Sequence, residues 1–174
     1  MKQGIHNNLN KNSDNKNPLP KIVVLGVGNE LLSDEGIGIH IVKKMQTMDI
    51  RSGIEIIEGG TDGFGLLNII TETDRLIVID SLKGGNKPGT IYKFDIKEAP
   101  STPDLFKTSV HQIGILEVIN LSGLVGNTPE TTVIGIEPKK ITAGMELSPE
   151  VKEKIPRIIN LVIEEIKNVK EKVK

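Results

Sequence analysis

Residues Lys21–Gly38 read KIVVLGVGNELLSDEGIG: a short apolar strand, a glycine turn, and an acidic pair, Asp34 and Glu35, at the start of a helix. A helix N-terminus carries partial positive charge and unpaired N–H groups, so a turn that opens one commonly receives an anion such as phosphate. Here the chain supplies its own anions. Gly26-Val27-Gly28-Asn29-Glu30-Leu31 follows the dinucleotide fingerprint for two glycines and breaks it at the third, where Leu31 is expected to hinder close approach of helix and strand. A pyrophosphate would meet two carboxylates, and the stretch suits a cation or an acid/base group instead.

Outward from this block, apolar segments alternate in character along the chain. Ile22–Val27 is the first strand. Asp34 is placed to cap a helix to about Met48, with Ile37, Ile41, Val42, Met45 and Met48 as its apolar face. Ile54–Ile57 reads as a second strand, ending in Glu58-Gly59-Gly60-Thr61, before a short helix through Leu66, Leu67, Ile69 and Ile70. Arg75–Asp80 (RLIVID) is apolar on both faces and predicts a central strand. The turn Lys83–Gly89 is too short for a helical crossover, so Thr90–Asp95 is expected to return antiparallel. Ser109-Val110-His111 opens a helix to about Leu121, Thr131–Ile136 is the last strand, and Ser148-Pro149 starts a final helix kinked at Pro156. The buried stripe of that helix is expected to be Val151, Ile155, Ile158, Ile159, Val162, Ile163 and Ile166. This order predicts an α/β fold: a three-layer α/β/α sandwich on a mostly parallel five-stranded sheet with one antiparallel strand.

Composition is that of one globular domain: 174 residues, 37% hydrophobic and 26% charged. A formal net charge of −1 and only four aromatics (Phe64, Tyr92, Phe94, Phe106) give neither a phosphate-tracking surface nor a base-stacking row, which argues against nucleic acid. The absence of cysteine excludes disulfides, thiolate metal sites and a cysteine nucleophile. Residues 1–20, rich in Asn and Lys, predict a disordered polar tail in which His6 is solvated, and 21–174 a single domain. No secretory signal or membrane span is evident, so a cytoplasmic protein is expected.

In open α/β sheets, ligands bind beyond the carboxyl ends of the parallel strands. That rule brings Glu35, Asp80 and His111 to one edge. Two carboxylates and an imidazole form a ligand set for a divalent transition metal such as nickel or zinc. Taken singly, each has a plainer role: Asp80 can cap the following turn, Glu35 can complement the helix dipole, and His111 can be a core histidine. Their conjunction favours the metal. His40, five residues past Glu35, lies roughly 140° around the helix and is expected to point elsewhere. Gly59, Gly60, Thr61 and Asp62, at the same edge, either let a bound peptide backbone pass close by or form a plain tight turn; Gly84 and Gly85 have the same two readings. Neither G-x-S-x-G nor H-E-x-x-H occurs.

Five blocks together (GVGNELLSDEGIG, GGTDGFGLL, LIVIDSLKGGNKPGT, SVH and GIEPKKITAGMELSP) make the chain resemble the hydrogenase maturation endopeptidases from Lys21 to the last helix. These proteases trim the C-terminal extension from the large subunit of [NiFe] hydrogenases. The resemblance implies an aspartic-type or metal-dependent hydrolase acting in the cytoplasm on a nickel-loaded precursor. It places metal binding on Glu35, Asp80 and His111 and catalysis on Glu35 and Asp80, with Gly59, Gly60, Thr61 and Asp62 as substrate-binding candidates. The nickel is expected to be shared with the precursor, and zinc or cadmium could take the same ligands in vitro. Two features depart from the family pattern: Glu58 stands where many members carry Asp before Gly-Gly-Thr, and the polar tail is extra.

Two rivals remain at this level. A non-enzymatic nickel-binding maturation chaperone would use the same three ligands, and a Rossmann-type nucleotide enzyme would use Gly26-x-Gly28. The second requires a thermal shift with NAD or SAM; no shift is expected with either, as measured by thermal denaturation.

Overall fold

A computed structural model describes residues 20–50, 53–98 and 115–171. Five strands, β1 (Ile22–Val27), β2 (Ile54–Gly60), β3 (Arg75–Ser81), β4 (Ile91–Asp95) and β5 (Glu130–Ile136), form one sheet in the order β2-β1-β3-β5-β4. All neighbours are parallel except β4, which runs antiparallel to β5. The helices are α1 (Ile37–Gln46), α2 (Leu67–Thr71), α3 (Ile115–Val125), α4 (Pro149–Lys152) and α5 (Ile155–Glu171) among the described residues. The expected sandwich is thus observed.

Alternation along the strands sorts the core into two layers. Ile22, Val24, Ile77 and Ile79 pack with α1 and α5 through Ile41, Val42, Met45, Ile158 and Val162. Val23, Leu25, Leu76 and Val78 pack on the other face with Ile70 of α2 and Val118 and Ile119 of α3. Asp80, the penultimate residue of β3, shares the parity of Leu76 and Val78 and so lies on the α2/α3 side.

Three local readings are corrected. Asp34 does not cap α1; a 3-10 turn over Ser33–Gly36 leads into that helix and no side chain caps either segment. The final helix is two: α4 ends before α5 begins, and Pro156 sits in the first turn of α5, where a missing N–H breaks no helical bond. Met48 lies past the end of α1 and is exposed. The Ser109 start of the helix ending in α3 lies outside the described residues, and α3 continues past Leu121 to Val125. His6 is likewise outside them.

Leu31, expected to hold helix and strand apart, instead points out, 59% exposed. Close approach of α1 to the sheet is made by a different pair of glycines. A Cβ on Gly26 would strike the Gly38 carbonyl, and one on Gly38 would strike the carbonyls of Ile79 and Val27. Backbone atoms cannot yield as a flexible side chain can. Gly38→Ala is therefore expected to destabilise the fold by about 1–3 kcal/mol or more, read from urea unfolding.

Candidate active site

Strand order reverses at β1: the chain steps from β1 to β2 on one side, and β3 pairs on the other. The crevice between the carboxyl ends of β1 and β3 is the switch point where open α/β sheets receive ligands. Register aligns the three strand ends there, with Gly26 opposite Glu58 and Ile79, and Val27 opposite Gly60.

Asp80 and Glu35 are both withdrawn from water, 7% and 1% exposed. Gly28, at φ +118°, lets the turn lie close to both residues: a Cβ there would fall on the Glu35 backbone carbonyl oxygen and lie 3.9 Å from Asp80 Oδ1. The Gly28 N–H donates to Gly60 O at 3.0 Å, fastening this turn to the end of β2. Asp80 Oδ1 accepts the Ser81 N–H at 2.7 Å. Burial, reinforced by the charge of Glu35 and opposed by the Ser81 bond, pushes the Asp80 carboxyl up to about 7. The two acids therefore feel each other electrostatically.

A small cavity of about 20 Å³ lies beside Asp80, lined by Val27, Gly60, Thr61, Gly63, Leu66 and Ile115 as well. That is close to the room one water requires. It adjoins an open groove of about 470 Å³, and Gly60 and Thr61 line both. Gly59, Gly60, Thr61 and Asp62 all line the groove, with Leu31 and Glu30 on its far wall. Asp62 also has a local task, accepting the Gly65 N–H at 3.1 Å.

Among the described residues no three His, Asp or Glu side chains are grouped to hold a metal. The third predicted ligand, His111, lies outside them, four residues before the cavity-lining Ile115. His40 does not line the Asp80 cavity, and its charge acts on Glu30. Glu58 lines the groove and shares Lys43 with Glu30, at 3.7 and 2.5 Å. The sequence reading missed that bridge. The 13-residue gap between Glu30 and Lys43 matches no local pairing rule, so only packing of the turn on α1 could reveal it.

The model of the HycI hydrogenase maturation protease family matches residues 39–165. The chain belongs to the hydrogenase maturation protease family. It is therefore a hydrolase of the peptidase class. The match spans Asp80 and His111 and begins just after Glu35. The hydrogenase 2 maturation protease of Escherichia coli strain K12 is 35% identical over 148 residues, covering 82% of this chain and 88% of that protein. The hydrogenase expression/formation protein HupD of Thiocapsa roseopersicina is 34% identical over 148 residues, 83% of this chain and 67% of its own. In three dimensions the chain is similar to the hydrogenase maturating endopeptidase HybD from E. coli, with TM-score 0.77 and 34% identity over 85% of this chain and 93% of that one. No helix among the described residues is long and apolar enough to cross a membrane.

The raised Asp80 carboxyl has a thermodynamic consequence. Between its ordinary pKa near 4 and about 7, the folded chain keeps a proton that the unfolded chain has lost, so stability falls as pH rises through this window. Asp80→Asn abolishes that titration while leaving an acceptor for the Ser81 N–H. The variant is expected to gain about 1–4 kcal/mol over wild type at pH 8 and nearly nothing at pH 4, as read from denaturant unfolding at the two pH values.

Proposed function

We propose that this protein is an endopeptidase that removes the C-terminal extension of a nickel-loaded [NiFe] hydrogenase large-subunit precursor in the cytoplasm. The observation that carries the reading is the buried Glu35–Asp80 pair at the switch point, beside a groove floored by glycine backbone. Two carboxylates forced together out of water repel, and a divalent cation relieves that repulsion. The donor set therefore fits nickel.

Nickel carried in by the precursor would be held by Glu35, Asp80 and His111, and its binding energy would fix one peptide bond relative to this chain. The chain's own residues do the rest. The extended segment lies along Gly59, Gly60, Thr61 and Asp62, where the missing side chain of Gly60 leaves open space for another backbone to approach. Asp80 keeps Oδ1 on the Ser81 N–H, which leaves Oδ2 to take a proton from the attacking water. The neighbouring cavity has the volume for that water.

The test incubates the protein with nickel-loaded and nickel-free precursor and weighs the large subunit by mass spectrometry. A C-terminal peptide is expected to be lost from the loaded form alone. Glu35→Gln and Asp80→Asn are expected to stay folded and to lose about 10²–10⁴-fold in processing rate. Normal cleavage by both variants rejects the assignment, and unchanged mass with nickel transfer would identify a chaperone instead.

A further inference from the structure

Asp34, beside Glu35, is a fully buried acid that the reaction does not use. Its carboxylate accepts four hydrogen bonds from the segment that follows β5. Oδ2 takes the N–H of Lys139 at 2.9 Å, the N–H of Lys140 at 3.0 Å and the hydroxyl of Ser148 at 2.8 Å, while Oδ1 takes the N–H of Ser148 at 2.7 Å. Every partner is more than a hundred residues away in the chain.

The same segment, residues 137–148, crosses the 31–35 turn as a strap. Ser33 N–H donates to Gly144 O at 2.6 Å and its hydroxyl to Thr142 O at 2.8 Å, and Gly144 N–H donates to Leu31 O at 2.9 Å. The strap's near end is also tied: Glu137 accepts the N–H of Gly84 at 2.8 Å and of Asn86 at 3.2 Å, and the hydroxyl of Tyr92. Ser33 sits at φ +52°, the single non-glycine residue in left-handed conformation among those described. A serine there relaxes toward negative φ unless held, and such a rotation would swing Asp34 and Glu35 with it. On its other side Glu35 is backed by Gly28, where no Cβ would fit against its carbonyl oxygen. The strap therefore grips the turn at Leu31, Ser33 and Asp34, just before Glu35, and Gly28 lies against the Glu35 carbonyl.

We propose that Asp34 is a positioning residue for Glu35: by clamping Lys139, Lys140 and Ser148 it holds the strap on the strained Ser33 turn and so keeps Glu35 facing Asp80. This rests on the processing reading above for its catalytic consequence, and on geometry alone for the clamp. Acceptor capacity, rather than size, is what the position demands. An isosteric amide cannot satisfy it: in either orientation its NH2 confronts at least one of the four donors.

The test compares wild type, Asp34→Asn, Asp34→Ala and Ser148→Ala by hydrogen exchange on the metal-free protein and by steady-state processing of nickel-loaded precursor. Exchange at Ser33, Glu35, Lys139, Lys140 and Ser148 amides should quicken at least about tenfold in both Asp34 variants while β1 and β3 stay protected. In processing, both should lose about 10²-fold in kcat with KM changed less than about threefold, the signature of a displaced reacting group. Ser148→Ala, which keeps three of the four bonds, should show the same pattern at about two- to fivefold and decides the matter if the Asp34 variants do not fold. Wild-type kcat in Asp34→Asn, a rise in KM alone, or unchanged exchange would overturn the proposal. A wild-type protein that leaves the precursor uncut rejects the processing reading instead, and the exchange data then judge the clamp by themselves.

Discussion

Glu35 and Asp80 approach each other where water is excluded, and like charges so placed resist being together. Much of the upper sheet edge can be understood as what is needed to keep them there. Asp80 is carried near the end of the central strand β3, which has parallel neighbours on both sides, and is itself in register with Gly135 of β5. Glu35 sits on a turn that has no such ladder. It is held by Gly28 beneath and by the strap above, and the strap is in turn anchored through the carboxylate of Asp34.

Asp34 and Asp80, both near Glu35, thus do opposite things. Asp34 faces four donors, which stabilise its charge and hold its carboxyl below the usual range although burial opposes this. Asp80 is pushed the other way by burial, with an acidic neighbour adding to it and a single backbone donor opposing it. One neighbourhood therefore contains a carboxylate kept charged by its donors and another kept protonated to higher pH. Separation of proton affinities between nearby acids is a common way for a hydrolytic site to obtain both rigidity and reactivity.

Glycines decide which atoms can meet. Gly26 and Gly38 bring α1 onto the sheet, Gly28 lets the first turn run against the Glu35 carbonyl, Gly59 makes room for Leu25 and Leu66 in the core, and Gly60 leaves its part of the groove open. The sequence shows these glycines plainly, yet the dinucleotide template assigns the helix contact to the wrong position. Leu31 was expected in the helix–strand contact because the third fingerprint position usually lies there; the 3-10 turn before α1 shifts the register, and Gly38 makes the contact instead.

By itself the sequence determined whatever depends on near neighbours. Apolar periodicity placed all five strands within a few residues, and the short Lys83–Gly89 turn forced β4 antiparallel. The sheet-edge rule assigned Glu35, Asp80 and His111 to one crevice; Glu35 and Asp80 both lie next to Gly28, and His111 lies outside the described residues. Only the tertiary structure decided what Asp34, Ser33 and Lys43 do. Asp34 in a first turn looks like a helix cap, because local rules offer its carboxylate only the nearby amides. Donors more than a hundred residues downstream win because the strap, once folded over the turn, presents several N–H groups that would otherwise be buried without acceptors. Hydrogen-bond partners that distant carry no signature in spacing, so the fold must form before they can be read.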